Sequence, residues 1–192
     1  MRVISGLARG TKLKTIESIS TRPTLDRVKE SLFNILQDKI KNTIVLDLFA
    51  GSGALGIEAL SRGAKRAYFC DKNPEAIKVI KENLNKTNLM SKATIFNCDY
   101  LNAIRKIDEK LSIVFLDPPY KLDLAVKSIN ELLRCDLLTN DSLIIIETDE
   151  ITRDIEEVQK IENIEIIDTR KYGRANLIFI KLSWTNKLFN LN

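Results

Sequence analysis

The segment Asp117-Pro118-Pro119-Tyr120 has the strongest chemical character in this sequence. Two consecutive prolines remove two backbone donors, and the residue before each proline is forced into extended geometry. The turn therefore presents only acceptors, the Asp117 carboxylate and the Pro118 carbonyl, and these match the two donors of a neutral amino group. Tyr120 adds a flat face for a stacked nucleobase, a contact worth ~1–3 kcal/mol. In isolation such a segment is more often a strand stop followed by a turn, so its meaning depends on its surroundings.

A glycine-rich loop lies upstream of this turn. Gly51, Gly53 and Gly56 form the pattern G-x-G-x-x-G directly after an apolar run. Glycine permits a tight turn and a close approach of backbone to ligand, and the helix that follows offers unpaired N–H groups at its start. Asp71 closes the next apolar run, 20 residues after Gly51, where a carboxylate accepts hydrogen bonds from ribose hydroxyls. The combination predicts a site for an adenosine-containing ligand, and the alternative is a purely structural turn.

Two further aspartates narrow the identity of that ligand. Asp47 ends the first apolar run, four residues before Gly51. A carboxylate there would repel a pyrophosphate but attract the ammonium and sulfonium groups of S-adenosylmethionine. Asp99 ends the third run and is placed to accept from the amine of an adenine, with Tyr100 beside it. A helix N-cap is the alternative role for Asp99, and the two roles can coexist.

The composition excludes several kinds of chemistry. The 192 residues include no histidine, which removes Ser-His and Cys-His nucleophile pairs, imidazole proton shuttles and histidine metal ligands. The three cysteines, Cys70, Cys98 and Cys135, form no C-x-x-C pair, so we expect reduced thiols of a cytoplasmic protein and no metal site. No apolar run approaches the ~20 residues of a membrane span, and the first residues lack the apolar core of a signal peptide.

The order of apolar segments predicts an α/β fold. Residues 2–15 alternate apolar and polar positions, as in a short hairpin or extended arm, and one helical apolar stripe covers about 24–41. Short β-rich runs then alternate with helical segments, which indicates a parallel sheet covered on both faces. The predicted strands are 44–49, 66–70, 93–97, 112–116, 142–147, 164–169 and 176–182, the last two as an antiparallel edge hairpin. The predicted helices between them are 54–62, 74–87, 99–108, 122–135 and 150–160.

The excess positive charge lies at the N-terminus. Residues 1–29 contain seven Lys or Arg side chains against two acidic ones, a net charge of +5, whereas the rest of the chain sums to −1. This asymmetry favours a polyanionic partner that docks near the N-terminus. The alternative is a basic arm that is only solvated.

Together these segments make the sequence recognisable. The loop Asp47-Leu-Phe-Ala-Gly-Ser-Gly53 followed by Asp117-Pro-Pro-Tyr120 resembles the S-adenosylmethionine-dependent amino-methyltransferases of nucleic acids. The segment Arg22-Pro-Thr-Leu-Asp-Arg-Val-Lys-Glu30, with Gly6 and Arg9-Gly-Thr-Lys-Leu13 before it, is similar to the RsmD family, bacterial enzymes that methylate the N2 amine of a guanine in small-subunit ribosomal RNA. The chain departs from the family pattern at Ser5, at Thr11 and in the final hairpin.

The resemblance implies a Rossmann-like class I methyltransferase fold with a seven-stranded, mostly parallel sheet. It implies a basic arm at 1–22, a methyltransferase domain at 23–192, and a cytoplasmic monomer that acts on ribosomal RNA within an assembling small subunit. The residues that would hold the target guanine are Asp117, Pro118 and Tyr120. The residues that would bind the cofactor are Asp47, Ala50, Gly51, Ser52, Gly53, Asp71, Lys72, Asp99, Tyr100, Thr24 and Arg27. Those that would contact RNA are Arg2, Arg9, Lys12, Lys14 and Arg22.

Other functions stay open from the residues alone. The Asp-Pro-Pro-Tyr turn does not by itself separate guanine from the amines of adenine or cytosine in DNA or RNA, and a similar turn serves protein glutamine methylation. A non-catalytic RNA-binding module that retains the fold is a further alternative. Methylation at cytosine C5 is excluded, because it needs a nucleophilic cysteine after a proline and none of the three cysteines follows one.

Overall fold

The computed structural model describes residues 1–16, 23–118 and 122–183, with only the backbone described at 23–26 and at 122. Two residues to which the sequence assigns roles, Arg22 and Tyr120, lie outside the described residues.

A seven-stranded sheet forms the centre of the molecule, in the order β3-β2-β1-β4-β5-β7-β6. The strands are β1 Ile44–Asp47, β2 Arg66–Cys70, β3 Ala93–Phe96, β4 Leu111–Leu116, β5 Leu138–Thr148, β6 Ile164–Tyr172 and β7 Ala175–Leu182. The first five pair in parallel, and β7 pairs antiparallel with both β5 and β6. The helices are α1 Pro23–Ile35, α2 Ala54–Ser61, α3 Pro74–Lys86, α4 Tyr100–Ile104, α5 Leu122–Arg134 and α6 Ile151–Val158. The predicted Rossmann-like architecture with its antiparallel C-terminal hairpin is confirmed.

Three predicted boundaries were wrong by four residues or more. The first helix ends at Ile35, and a separate 3-10 turn over Gln37–Lys39 continues its apolar stripe to the buried Ile40. Helix α4 ends at Ile104, because a tighter turn then brings the N–H of Ile107 to the carbonyl of Ile104 and buries Ile107 while the chain turns toward β4. Strand β5 begins four residues early, at Leu138, which pairs with Leu111 before a register shift.

The two faces of the sheet have separate cores. Val45, Ile113 and Phe115 belong to the core that packs against α1, α2 and α3, which we call the α1–α3 face. Their strand neighbours Leu46 and Val114 belong to the core that packs against α4, α5 and α6. Since side chains alternate along a strand, a residue two positions after Val45 or Phe115 points to the α1–α3 face. This alternation orients the acidic residues at the strand ends.

The N-terminal segment 1–16 packs against α2. A single antiparallel bridge joins Arg2 to Lys12, so the predicted hairpin is present in a minimal form. Its apolar residues Val3, Ala8 and Leu13 are buried in the same core as α1 and α2. The amides of Leu7 and Ala8 also donate to the carbonyl and hydroxyl of Ser61 at the end of α2, at 2.8 and 2.9 Å. The basic segment is therefore held in place by the body of the protein.

A buried glutamate on α2 fixes this arrangement. The side chain of Glu58 is fully buried, and its carboxylate accepts from the backbone amides of Ile4 at 2.8 Å and Ser5 at 3.0 Å. The guanidinium of Arg62 donates to it at 2.8 Å, and the buried ammonium of Lys29 lies 3.5 Å away. A buried charge is tolerated when it is paired and hydrogen-bonded, as it is here.

Gly56, the third glycine of the loop pattern, is required by packing. A Cβ atom at Gly56 would lie 2.3 Å from Cε1 of Phe69, a ring that is itself fully buried in β2. We expect Gly56→Ala to lower the free energy of unfolding by roughly 1–3 kcal/mol, the usual cost of overpacking a core. Urea denaturation measures this, with the exposed Asn85→Ala on α3 as control. If Gly56→Ala were as stable as the control, the Phe69 ring would have room to move, and packing would not require glycine at position 56.

Candidate active site

Four carboxyl side chains lie along one edge of the sheet. Each stands at or directly after the carboxyl end of one of four adjacent strands, β2, β1, β4 and β5. In that order the residues are Asp71, Asp47, Asp117 and Glu147. By the alternation of side chains, all four point toward the α1–α3 face. The carboxyl edge of an open parallel sheet is where such folds bind ligands. Three of the four were predicted from the sequence, and their adjacency follows from the strand order.

Asp47 occupies the centre of this row and is 3% exposed. Its Oδ2 accepts from the amide of Gly56 at 2.9 Å, which ties the end of β1 to the first turn of α2. Burial, with smaller contributions from the nearby charges of Asp117 and Asp71, raises the pKa of Asp47 to about 7 in spite of the opposing effect of the Gly56 hydrogen bond. Such a carboxyl favours a bound cation, because a positive charge beside it would stabilise its ionised form. That stabilisation would offset both the lost hydration and the repulsion from the neighbouring carboxylates.

Asp117 follows the last residue of β4 and retains contact with solvent, while Pro118 is half-buried. Surrounding protein displaces part of the hydration of Asp117, and this desolvation raises its pKa to about 6. The carboxyl is therefore mainly ionised at neutral pH and can act as an acceptor. Leu48, which follows Asp47, donates its amide to the carbonyl of Phe115, so β1 and β4 remain in contact up to this point.

Glu147 is the member of the row that the sequence interpretation missed. It is half-buried near the end of β5, and burial together with the charge of Asp117 raises its pKa to about 8. The signal was present in the sequence, because Glu147 closes the apolar run 143–146 just as Asp47 and Asp117 close theirs. The same rule of acidic residues at strand ends would have found it.

The glycine loop has the conformation that its residues predict. Gly51 and Gly53 have φ values of 53° and 75°, in the left-handed region where glycine is favoured. The amide of Gly51 donates to Oδ2 of Asp71 at 3.0 Å, and the amide of Ala50 donates to the carbonyl of Cys70 at 2.9 Å. The loop is thus attached to the end of β2, with its backbone next to both Asp47 and Asp71.

The outer part of the loop is supported by α3. The carbonyl of Ser52 accepts from the side-chain amide of Asn83 at 2.9 Å, and the same asparagine also exchanges hydrogen bonds with the backbone of Lys14. Asn83 is buried and was not predicted as part of the site. It connects the glycine loop with the basic N-terminal segment.

The residues predicted to hold an adenosine lie beyond Asp71. Oδ1 of Asp71 accepts from the amide of Asn73 at 2.8 Å, so both of its oxygens contact backbone amides. Asp99 is exposed and accepts from the amide of Leu101 at 2.9 Å, which confirms the alternative role of helix N-cap. Tyr100 packs on Phe49 with ring centroids 5.6 Å apart. Tyr100 was predicted as part of the site, whereas Phe49 was not.

Three predicted cofactor residues receive less support from the geometry. Lys72 has an exposed side chain, and its carbonyl accepts from Asn97 at 3.2 Å. Arg27 is exposed on α1, and within the described residues no hydrogen bond joins it to the glycine loop. Thr24 lies in the first turn of α1, where only the backbone is described.

The predicted RNA-contacting side chains of Arg2, Arg9, Lys12 and Lys14 are all exposed. Arg2, Arg9 and Glu30 line an open depression of about 320 Å³ beside the N-terminal bridge. The ammonium of Lys14 forms an ion pair with Glu82 at 2.8 Å, so its charge is partly compensated. Arg2, Arg9 and Lys12 therefore present the positive surface of this segment.

Within the part of the chain that the structure describes, no three His, Cys, Asp or Glu side chains are grouped closely enough to hold a metal ion. Among the described helices, none has both the length and the apolar character needed to cross a membrane.

Comparison with known proteins decides the family. The sequence model described as Conserved hypothetical protein 95 matches residues 1–181. The chain belongs to this family, the RsmD family. The resemblance to the RsmD family, carried by Arg22–Glu30 and Arg9–Leu13, is thereby confirmed, and it extends over nearly the whole chain.

Individual relatives agree with the assignment to the RsmD family. The chain is 40% identical over 152 residues to the Ribosomal RNA small subunit methyltransferase D of Haemophilus influenzae, covering 78% of this chain and 79% of that protein. It is 38% identical over 149 residues to the protein of the same name from Escherichia coli, covering 78% and 75%. The solved structure of the Escherichia coli protein yhhF is similar with a TM-score of 0.79 and 29% identity, covering 95% of this chain and 98% of that one.

Proposed function

We propose that this protein transfers a methyl group from S-adenosylmethionine to the exocyclic N2 amine of a guanine in small-subunit ribosomal RNA. The observation that carries the proposal is the position of the acceptor-only turn at Asp117 and Pro118. It follows β4, the neighbour of β1, and β1 ends in Asp47 and leads into the glycine loop. Membership of the RsmD family and the names of its relatives support the same reaction.

The residues present fit S-adenosylmethionine. Its ammonium and sulfonium groups are cations, and Asp47, whose pKa is raised to about 7 by burial and by neighbouring carboxylates, is stabilised by a cation. The methionine part of the cofactor would lie along the backbone of the glycine loop, at Ala50, Gly51, Ser52 and Gly53. Asp71 and Lys72 would lie at the ribose, and Asp99 would lie at the adenine.

The aromatic pair Phe49 and Tyr100 stands at the same end of the sheet and offers an apolar surface for the adenine ring. Thr24 and Arg27, in the first turns of α1, remain proposed cofactor contacts because the family signature includes them.

The chain's own residues would orient and deprotonate the amine. S-adenosylmethionine supplies a methyl group that is already activated by a positively charged sulfur. The Asp117 carboxylate and the Pro118 carbonyl accept from the two amine hydrogens, which directs the nitrogen lone pair at the methyl carbon. The amine nitrogen held by Asp117 and Pro118 would receive the methyl carbon, and the electrons of the broken carbon–sulfur bond would remain on sulfur. The proton released from nitrogen passes to Asp117, whose pKa of about 6 lets it return that proton to water. Positioning accounts for most of the acceleration.

The target base has to leave its stack to reach this edge, as in other enzymes that act on base atoms. We propose that Tyr120, which lies outside the described residues, stacks on the extruded guanine. The basic segment would bind the RNA backbone nearby with Arg2, Arg9, Lys12 and Lys14, and Arg22 would extend this surface. We further propose a cytoplasmic monomer that acts on the assembling small subunit, with residues 1–22 as its RNA-contacting appendage.

Neutralising Arg9 and Lys12 together is expected to weaken RNA binding at low salt. Both side chains are exposed, and the fixed backbone of the segment would hold them against phosphates. The slope of log affinity against log salt concentration should fall by roughly 0.7–0.9 for each phosphate that the variant no longer binds. Binding of Arg9→Gln/Lys12→Gln to a small-subunit RNA transcript, measured over a salt series, checks this.

A matched control is Lys106→Gln/Lys127→Gln, which removes the same charge from exposed positions near α4 and on α5. Equal slopes for the arm variant and the control would mean that the arm is only solvated.

The function itself is tested by transfer of labelled methyl groups to three kinds of acceptor. The protein is incubated with labelled S-adenosylmethionine and either small ribosomal subunits and their RNA, double-stranded DNA, or ribosomal proteins. We expect label only in the RNA. Label in DNA or in protein glutamine would contradict the proposal, and bound cofactor without any transfer would favour a non-catalytic RNA-binding module.

A further inference from the structure

Glu147 lies beside Asp117 on the ladder of the sheet. Leu116 of β4 pairs in parallel register with Ile146 of β5. Asp117 follows Leu116 and Glu147 follows Ile146, so these two residues are neighbours across the two strands. Neighbouring strands are ~4.8 Å apart, and residues in register project to the same face. The electrostatic contact between the two carboxyls is strong enough that Asp117 contributes to the raised pKa of Glu147. The two carboxyls therefore face a common space.

The position of Glu147 in the row places it on the substrate side of Asp117. Asp71 and Asp47, the proposed cofactor residues, belong to β2 and β1 on one side of β4. Glu147 belongs to β5 on the other side. A base whose amine is held at Asp117, with the methyl donor over β1, would extend its ring toward β5. Glu147 is the titratable side chain at the end of that strand.

The Glu147 carboxyl has no protein partner within the described part of the chain. Among the described residues, Glu147 has no hydrogen bond and no ion pair, although it is half-buried. Buried carboxylates elsewhere in the described chain are paired: Glu131 accepts from Arg105 and Arg134, and Asp154 accepts from Arg153. A half-buried carboxyl without a protein partner can accept hydrogen bonds from water or from a bound ligand, and Glu147 lies at the sheet edge where such folds bind ligands.

The chemistry of the nucleobases identifies what such an oxygen would bind. In guanine, one of the two ring nitrogens next to the N2 amine is N1–H, a donor, and the other is N3, an acceptor. In adenine and cytosine, the ring nitrogen next to the amine carries no hydrogen and is an acceptor. A second acceptor beside the one that holds the amine is therefore complementary to guanine alone among the three bases.

We propose that Glu147 accepts a hydrogen bond from N1–H of the target guanine and thereby selects guanine over adenine and cytosine. The inference rests on the proposed function, since it names the specificity determinant of that same site. Asp117 would hold the reacting amine, and Glu147 would hold the ring nitrogen next to it. Because the pKa of Glu147 is raised to about 8, the acceptor role belongs to its ionised form, which a bound N1–H donor favours. In that form the pair distinguishes bases by the direction of one hydrogen bond, an interaction whose absence strongly disfavours the wrong substrate.

The test compares two RNA substrates that differ at the mapped target position. One carries guanine and the other carries 2-aminopurine, which keeps the amine but has no hydrogen on N1. We expect the unsubstituted protein to favour guanine by at least about tenfold in kcat/KM. Equal values for the two substrates would overturn the proposal without the need for any variant.

Two variants then assign the preference to Glu147. Glu147→Leu removes the acceptor and should bring the ratio of the two kcat/KM values close to one. Glu147→Gln can present its NH₂ donor as well as its acceptor oxygen, so it should lower the preference mainly by improving transfer to 2-aminopurine. Asp149→Asn, an exposed acidic residue after β5, is the control that should retain all of it.

A Glu147→Leu protein that binds S-adenosylmethionine and still prefers guanine as strongly as the unsubstituted protein would overturn the assignment. If the unsubstituted protein transferred methyl groups only to adenine or cytosine, the proposed function would fail, and this inference with it.

Discussion

Replacing Asp117 with alanine is expected to reduce the turnover number for methyl transfer by ~100-fold or more, because the amine would lose the acceptor that orients it and takes its proton. Affinity for S-adenosylmethionine should change much less, since none of the proposed cofactor residues stands on β4 or in the turn that follows it. Single-turnover transfer to RNA measures the first quantity, and calorimetric titration of the cofactor measures the second.

Two further variants separate chemistry from folding. Asp117→Asn keeps one acceptor oxygen but cannot take up a proton to form a neutral acid, so its rate should fall between those of alanine and aspartate. Asp123→Ala removes an exposed acidic residue from the first turn of α5 and should leave the rate unchanged. Equal losses of turnover and cofactor affinity in Asp117→Ala would show that Asp117 acts in binding the cofactor.

Replacing Asp47 with asparagine is expected to weaken S-adenosylmethionine binding by roughly 10- to 100-fold at pH 8, the range for loss of a charge-assisted hydrogen bond. The amide oxygen of asparagine can still accept from Gly56, so the turn into α2 should persist. The variant therefore isolates the charge of Asp47 from its structural hydrogen bond.

The same residue gives the cofactor affinity a pH dependence. The pKa of Asp47 is raised to about 7 by burial, so the carboxyl of the free protein has to lose a proton before a cation can benefit from its charge. Affinity should rise with pH between about 5.5 and 7.5, by at most about tenfold per pH unit for one proton released, and then level off. In Asp47→Asn this rise should be smaller, and an equal rise in both proteins would contradict the assignment.

Folding stability should respond in the opposite direction. The folded protein holds the Asp47 proton more tightly than the unfolded chain, so this residue's contribution is fully present below the ordinary aspartate pKa of 3.8 and is lost as the pH rises through about 7. Asp117 and Glu147 have pKa values raised in the same direction. Without cofactor, the protein should therefore become less stable from about pH 4 to pH 8, and Asp47→Asn should lose less.

Much of this site was predictable because it depends on local sequence. The glycine loop, Asp47, Asp71 and Asp117 each stand at the end of an apolar run, and a parallel sheet brings the ends of such runs to one edge. The order of the strands is not encoded in any one of those segments. Glu147 closes an apolar run in the same way, but only the pairing of β5 with β4 shows that it lies beside Asp117.

The attachment of the basic segment could not be predicted for a related reason. It depends on Glu58, whose partners Ile4 and Ser5 lie 54 and 53 residues away in sequence. On its own, a glutamate in an otherwise apolar helix gives no indication of which distant amides it binds. Phe49 and Asn83 likewise acquire their roles from tertiary packing, through Tyr100 and the glycine loop respectively.

The most direct test of the central claim is the identity of the methylated nucleoside. Small ribosomal subunits, or their RNA, that lack the modification are incubated with the protein and labelled S-adenosylmethionine, then digested to nucleosides and analysed by mass spectrometry. We predict that the label appears in N2-methylguanosine and that Asp117→Ala abolishes most of it. Label in a methylated adenosine or cytidine, with none in N2-methylguanosine, would contradict the claim.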